Sequence, residues 1–280
     1  MKGPPFIYAV LKSLSLSPVY YMKRKIKSGN VIEVTQFPVG DRKPRADRRK
    51  GSSTLKKIDQ NLRDAVKRLA RILNCNVQPG WLFIVLTYDD KHLPQDPAEA
   101  EKQSQLFIRR AERKGFKVKG VWVTADKDKE GNTKRLHHHI ICDGEGLSLE
   151  YAAGKLSRIL CGKAELKDIW KNGFVYVDPI QHDDDYSRIA AYLVRQAVSG
   201  TDVKKWHTSR GLKKPEIIEE VITDRPTILR APGGAEVKES AAYSEDYGVG
   251  YIRYIRPPRK PRKKPQMNNS GGGAHDRQGV

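Results

Sequence analysis

"KRLHHHIICDG", residues 134–144, is the stretch whose reading decides the fold. Three of the seven histidines in the chain stand together here, at the head of an apolar run. An affinity tag is terminal, so a triplet inside an apolar run belongs to the protein itself. Read as a strand, the run sends His137 and His139 to one face and His138 to the other. Two imidazoles two residues apart on a rigid strand can chelate one divalent ion without further ordering of the chain.

The flanking sequence gives that strand its neighbours. "WLFIVLTY" (81–88) reads as a buried strand, rich in β-branched and aromatic residues. "DPAEAEKQSQLFIRRAERKG" (96–115) reads as a helix closed by Gly115. "FKVKGVWVTAD" (116–126) is a second strand, and "KDKEGNTK" (127–134) is a turn-rich connection into the histidine strand. Beyond it the pattern predicts a helix over "LSLEYAAGKLSRIL" (147–160), a strand over "GFVYVDPI" (173–180) and a helix over "DDYSRIAAYLVRQAV" (184–198). The order β-α-β-β-α-β, then α, is that of an α+β protein with a ferredoxin-like split β-α-β unit. Such a unit has an antiparallel sheet with helices on one face and the other face free for a ligand.

Four segments follow from this. Residues 1–53 offer a strand in "NVIEVTQFPVG" and a basic arm in "DRKPRADRRKGSS". Residues 54–215 hold the main domain. It opens with an amphipathic helix whose apolar face is Leu55, Ile58, Leu62, Ala65, Leu69 and Ile72, with Ser53 as N-cap. Residues 216–252 are a C-terminal extension, and 253–280 read as a disordered basic tail rich in Pro, Gly, Lys and Arg.

The formal net charge is +20, and only +7 of it lies from Arg253 onward. An excess of this size suits a partner with a phosphate backbone or an anionic surface far better than a neutral small substrate. The apolar runs are too short for a spanning helix, and Lys12 interrupts the N-terminal one, so neither stable membrane association nor secretion is expected. Cys75, Cys142 and Cys161 form no CxxC pair, which points to buried free thiols in a reducing compartment.

A catalytic ion needs a third ligand beside His137 and His139. The preceding strand ends in "VTAD", and in an antiparallel pair its end meets the start of the histidine strand. Asp126 is therefore the first candidate, with Glu130 in the connection second. Two histidines and a carboxylate leave positions open for a substrate oxygen. On the last helix, Tyr192 falls between the apolar arc of Ile189, Ala190, Leu193 and Ala197 and the basic pair Arg188 and Arg195. A phenol there can act as a nucleophile if positive charge or a metal-activated electrophile is near.

These stretches together resemble the HUH endonucleases, in particular the rolling-circle replication initiators of phages and small plasmids. "FIVLTYDDKHLP" looks like the family's first motif, and "RLHHHIIC" resembles the His-hydrophobic-His motif with His138 in the middle slot. "IAAYLVRQ" is similar to the tyrosine motif, and "SRGLKKPE" to a segment common downstream. Arg195 stands where the family usually has Lys, and Ala125 followed by Asp126 where it commonly has Glu. No second tyrosine stands at helical spacing before Tyr192, since Tyr186 faces elsewhere, so the likeness is to single-tyrosine initiators.

The resemblance implies DNA nicking and rejoining. His137, His139 and Asp126 would hold Mg²⁺ or Mn²⁺ against a phosphodiester, and Tyr192 would attack it to give a 5′-phosphotyrosine, with Arg195 and Arg188 stabilising charge. Lys204, Lys205, Arg210, Lys213 and Lys214 would contact the DNA backbone, and Trp206 would stack on an unpaired base. The implied partners are single-stranded or origin DNA, a host helicase and the replication machinery, in the cytoplasm of a bacterial host cell. The competing expectations are a relaxase or transposase of the same superfamily, and a non-catalytic basic nucleic-acid binder, since RNA-recognition modules share the strand order.

Overall fold

The fold was read from a computed structural model that describes residues 20–39, 55–128, 130–152, 154–198, 205–222, 228–244 and 249–257. It is α+β, with antiparallel sheets and few helices. The central sheet has five strands in the order β10-β4-β5-β3-β9: His207–Thr208, Gly120–Lys127, Thr133–Asp143, Trp81–Thr87 and Val175–Pro179. β3 and β4 are each antiparallel to β5, so they run parallel to one another with β5 inserted between them. Helix α2 (Pro97–Arg113) makes the crossover from β3 to β4. Its start is fixed by Pro97 in the first turn and by Asp96, whose carboxylate accepts from Glu99 N at 2.8 Å.

Both faces of this sheet are covered, which is why β3 reads as an unbroken apolar run. On one face Leu82, Ile84, Leu86, Ile140 and Cys142 meet Phe107 and Ala111 of α2 and Trp170 of the short helix α3 (Leu166–Trp170). On the other, Trp81, Val121, Val123 and Ile141 meet helices α1 (Leu55–Asn76) and α4 (Ser187–Gln196). The expectation of helices on a single face is thereby corrected. The face that carries His137 and His139 is open only at the end of the sheet where β5 begins.

Residues 147–160 do not form the predicted helix. They form β6 (Leu147–Ala152) and β7 (Lys155–Cys161), a hairpin joined to the two-residue strand β8 (Ala164–Glu165). Leu147, Leu149, Leu156 and Ile159 turn toward the core, and Ser148, Glu150, Ser157 and Arg158 toward solvent. That alternation has period two, and Gly154, at φ +75°, supplies the left-handed turn that a helix would not tolerate.

A second five-stranded sheet gathers both ends of the described chain, in the order β11-β1-β2-β13-β12. Its strands are Glu216–Ile222, Tyr20–Ser28, Val31–Val39, Val249–Ile255 and Glu236–Ser244. Arg253, Tyr254 and Ile255, expected in the tail, are therefore strand residues, and Tyr254 is buried against Ile32, Val34 and Ile252. Two links fasten this sheet to the helices below. Glu33 takes two bonds from Arg71 of α1, at 2.9 and 2.6 Å, and Arg253 pairs with Asp185 and Ser187 at the start of α4. Because α1 is enclosed between the sheets, its buried side chains are Ala65, Leu69, Ala70 and Leu73, while Ile58 is exposed. Its expected N-cap, Ser53, and the tail beyond residue 257 lie outside the described residues. Among the described residues no helix is long and apolar enough to cross a membrane. Cys142 and Cys161 are buried free thiols, and Cys75 is half-buried.

Candidate active site

β5 pairs with β3 and β4 in a register that sets Val85, His139 and Val123 in one row and Thr87, His137 and Ala125 in the next. Both histidines therefore face the side of the sheet on which α4 lies. A pocket of about 530 Å³ opens there, lined among others by His137, His139, Tyr192, Gln196, Thr87 and Lys134. The Nε2 atoms of His137 and His139 are 3.1 Å apart. Gln196, one helical turn beyond Tyr192, brings its Oε1 to 3.0 Å from His139 Nε2 and 3.4 Å from His137 Nε2.

The proton positions follow from the partners. His137 Nδ1 lies 2.9 Å from Arg135 O, which can only accept, so that nitrogen carries the hydrogen and Nε2 presents a lone pair. His139 is almost enclosed, and burial first, then the charge of His137, pushes its pKa down to about 4, against a smaller upward pull from Gln196. Its Nδ1 is buried without a hydrogen-bond partner. Two neutral imidazoles and one amide oxygen thus converge with little to share between them except a cation. A divalent ion bonded to two imidazoles at about 2.1 Å keeps their nitrogens roughly 3 Å apart, so the donor set fits such an ion.

Tyr192 stands beside this group. Its ring lies edge-on to His139 at 5.4 Å between centroids and to Phe83 at 6.2 Å, and it is 39% exposed, so the phenol has access to a solvent-borne substrate. Tyr186 is buried instead, and its hydroxyl accepts from Asp183 N at 3.3 Å.

Asp126, expected as the third ligand, does not line the pocket. Ala125 is the residue paired with His137, and the register breaks immediately afterwards, between Ala125 and Lys127. The carboxylate faces Lys127 Nζ at 3.4 Å instead. Among the described residues no cluster of three or more His, Cys, Asp or Glu side chains is arranged to hold a metal. The second candidate, Glu130, lines the pocket, as does Asp128. Sequence reasoning passed over Gln196, although its place four residues after Tyr192 puts both on one helical face.

The other expected contacts are dispersed. Arg188 and Arg195 are exposed on α4, and neither lines the pocket. Lys205 is half-buried and donates to Val198 O at 3.3 Å, and burial lowers its pKa. Trp206 packs against the core under α1 and α4 rather than standing free. Arg210, Lys213 and Lys214 are exposed, with the Lys213 backbone clamped by Asn76. Lys204 lies outside the described residues.

Residues 81–197, which span β3 to the end of α4, match the family model for the replication-associated protein ORF2 and its relatives. This part of the chain is similar to replication-associated proteins, and it contains both histidines, the tyrosine and Gln196. No curated protein and no solved structure matches the chain.

Proposed function

We propose that the protein is a rolling-circle replication initiator that nicks and rejoins single-stranded DNA through Tyr192. The observation that carries the reading is the convergence, in one pocket, of the exposed Tyr192 with the paired Nε2 atoms of His137 and His139. The match over residues 81–197 supports the replication role, and the +20 charge supports a phosphate-backbone partner. The parallel pair β3 and β4 split by β5 is the arrangement of a ferredoxin-like HUH nuclease.

In this reading His137, His139 and the Gln196 amide oxygen hold Mg²⁺ or Mn²⁺. The bound ion would supply Lewis-acid polarisation of a non-bridging phosphate oxygen. The Tyr192 oxygen forms the new bond to phosphorus as the bond from phosphorus to the 3′ oxygen breaks. The phenol gives up its proton to solvent, and the departing 3′ oxygen takes one up. One phosphodiester replaces another, so the linkage is preserved for rejoining. The enclosed imidazoles stay neutral and keep their lone pairs toward the ion, and Lys134 at the pocket mouth offsets phosphate charge.

The test is incubation of the protein with single-stranded DNA and Mn²⁺, followed by a denaturing gel. A covalent adduct is expected from the unaltered protein, none from Tyr192→Phe, and none in EDTA. An adduct that persists in the phenylalanine variant sinks the assignment of the nucleophile. The same assay separates a non-catalytic nucleic-acid binder, which would retain DNA without attachment.

A further inference from the structure

The register that aligns the histidines continues across the sheet to its far edge. His139 lies opposite Val85, and Val85 opposite Tyr176 of β9. In the next row His137 lies opposite Thr87, whose backbone N donates to Phe174 O at 2.9 Å. Phe174 and Tyr176 alternate with Val175 and Val177, which turn to the opposite, core face. Both rings therefore project on the face that carries the candidate active site. Two strand spacings, about 10 Å, separate them from the histidines.

Their exposure is unusual for aromatic side chains on a strand: 62% for Phe174 and 58% for Tyr176. The backbone there is held firmly rather than left loose. Trp170 Nε1 donates to Thr87 O at 2.7 Å, and Asp89 N donates to Asn172 O at 2.9 Å. Gly173 lies so close to β3 that a Cβ would meet Thr87 O at 2.3 Å. Strand β9 thus holds two rings in solvent at a fixed place while its other side chains fill the core.

We infer that Phe174 and Tyr176 form a stacking platform for unpaired bases of single-stranded DNA, flanking the phosphodiester at Tyr192. This rests on the reading of the site as a DNA-nicking centre and adds where the rest of the strand runs. Three features select single-stranded DNA as the occupant. The rings share a face and a register with the catalytic pocket, the protein carries a large cationic excess, and every unpaired base offers a π-face to an exposed ring. A length of about 10 Å is the reach of one or two extended nucleotides, so the base beside the scissile phosphate and its neighbour are the ones stacked.

The experiment is a fluorescence-anisotropy titration of a labelled single strand of about 20 nucleotides, longer than the site of a typical single-strand-binding fold, with the full chain in EDTA, where cleavage does not interfere. Phe174→Ala and Tyr176→Ala are each expected to weaken binding roughly tenfold, as loss of a base–aromatic stack does. The dependence of affinity on salt should keep its slope, because no phosphate contact is removed. Tyr176→Phe should bind as the parent does, and the Trp emission of Phe174→Trp should change on saturation with DNA. A double alanine variant that binds within twofold of the parent overturns the platform, as does a loss accompanied by a shallower salt slope.

The adduct assay keeps the two readings apart. A parent that forms the adduct, with binding indifferent to both alanines, overturns the platform alone. An adduct retained by Tyr192→Phe overturns the nucleophile alone. A parent that fails to bind single strands at all overturns both.

Discussion

The two faces of β5 carry the same residue type in opposite circumstances. His138 is completely enclosed on the α2 side, where its Nε2 meets Tyr88 OH at 2.7 Å and its Nδ1 meets Thr124 Oγ1 at 3.1 Å. Every polar atom of that ring has a partner. His137 and His139, one residue away on either side, are nearly as buried, at 5% and 3%. Their Nε2 atoms nevertheless point at each other and at an amide oxygen, beside a pocket. Burial does not distinguish the faces, whereas hydrogen-bond completeness does. A satisfied buried imidazole is a structural member, and a pair of converging lone pairs is a place for an ion.

The sharpest break of this comparison is to remove one ring from each face. His139→Ala is expected to cut adduct formation by more than the roughly hundredfold upper range seen when only an outer-shell partner of a metal ligand is lost. Single-strand binding in EDTA should remain. His138→Ala should act differently. It leaves the enclosed Tyr88 hydroxyl without its partner and opens a cavity, costing on the order of 2–4 kcal/mol in urea unfolding. Mn²⁺ affinity per folded molecule, measured by calorimetry, should be unchanged. If His138→Ala abolishes Mn²⁺ binding while His139→Ala spares it, the faces have been assigned the wrong way round.

A smaller effect tests how the outer sheet supports the site. Arg71 reaches the enclosed Glu33 through two bonds, and removal of one partner from such a pair typically costs about 3–5 kcal/mol. The Arg71 side chain retains some solvent contact, so Arg71→Ala is expected at or below the lower end of that range. Arg24→Ala, which breaks the exposed pair with Glu219 on the same sheet, should cost no more than about 1 kcal/mol. Equal losses for the two variants would show that the sheet does not brace α1.

The contrast between regions also explains what was legible in the sequence. In the central sheet the strands around His138 are enclosed on both faces, so "WLFIVL" and "HHHIIC" announce themselves by apolar composition alone. The Tyr192 helix is legible by its 3.6-residue period. Residues 147–160 misled because Leu, Ala and Lys suit a helix individually, while the packing that selects the hairpin comes from α2 and α3 and is not local. The outer sheet was mostly illegible. β1 and β11 pair cationic Arg24 and Lys27 with Glu219 and Glu216, so each strand alone looks like a solvated charge run. Arg253 reads as tail for the same reason, although it fixes the start of the helix that carries Tyr192. At the site, the histidine pair was readable from the period of two. The third oxygen was not, because the break after Ala125 turns Asp126 away, and an amide on a helix resembles any other polar surface residue.

The gentlest probe of the two faces is pH. Burial first, then the neighbouring His137 and His139, pushes His138 down to about 3, and burial and His137 push His139 down to about 4. In the unfolded chain both rings titrate near 6.5. Because the folded pKa is the lower, the unfolded state binds more protons between those values, and stability is complete above about pH 6.5 and declines as pH falls. Each ring contributes a slope of up to about 1.4 kcal/mol per pH unit. In metal-free buffer, urea midpoints taken between about pH 7 and about pH 5 should drop on acidification. His138→Gln, although less stable at neutral pH, should show a shallower drop because one of the two rings is gone. Mn²⁺ should protect the parent most at the upper end of the window and least at its acid end, where protons compete for the lone pairs of His137 and His139. A protection that does not depend on pH would mean that the ion binds elsewhere, and that the open face of β5 is as inert as the closed one.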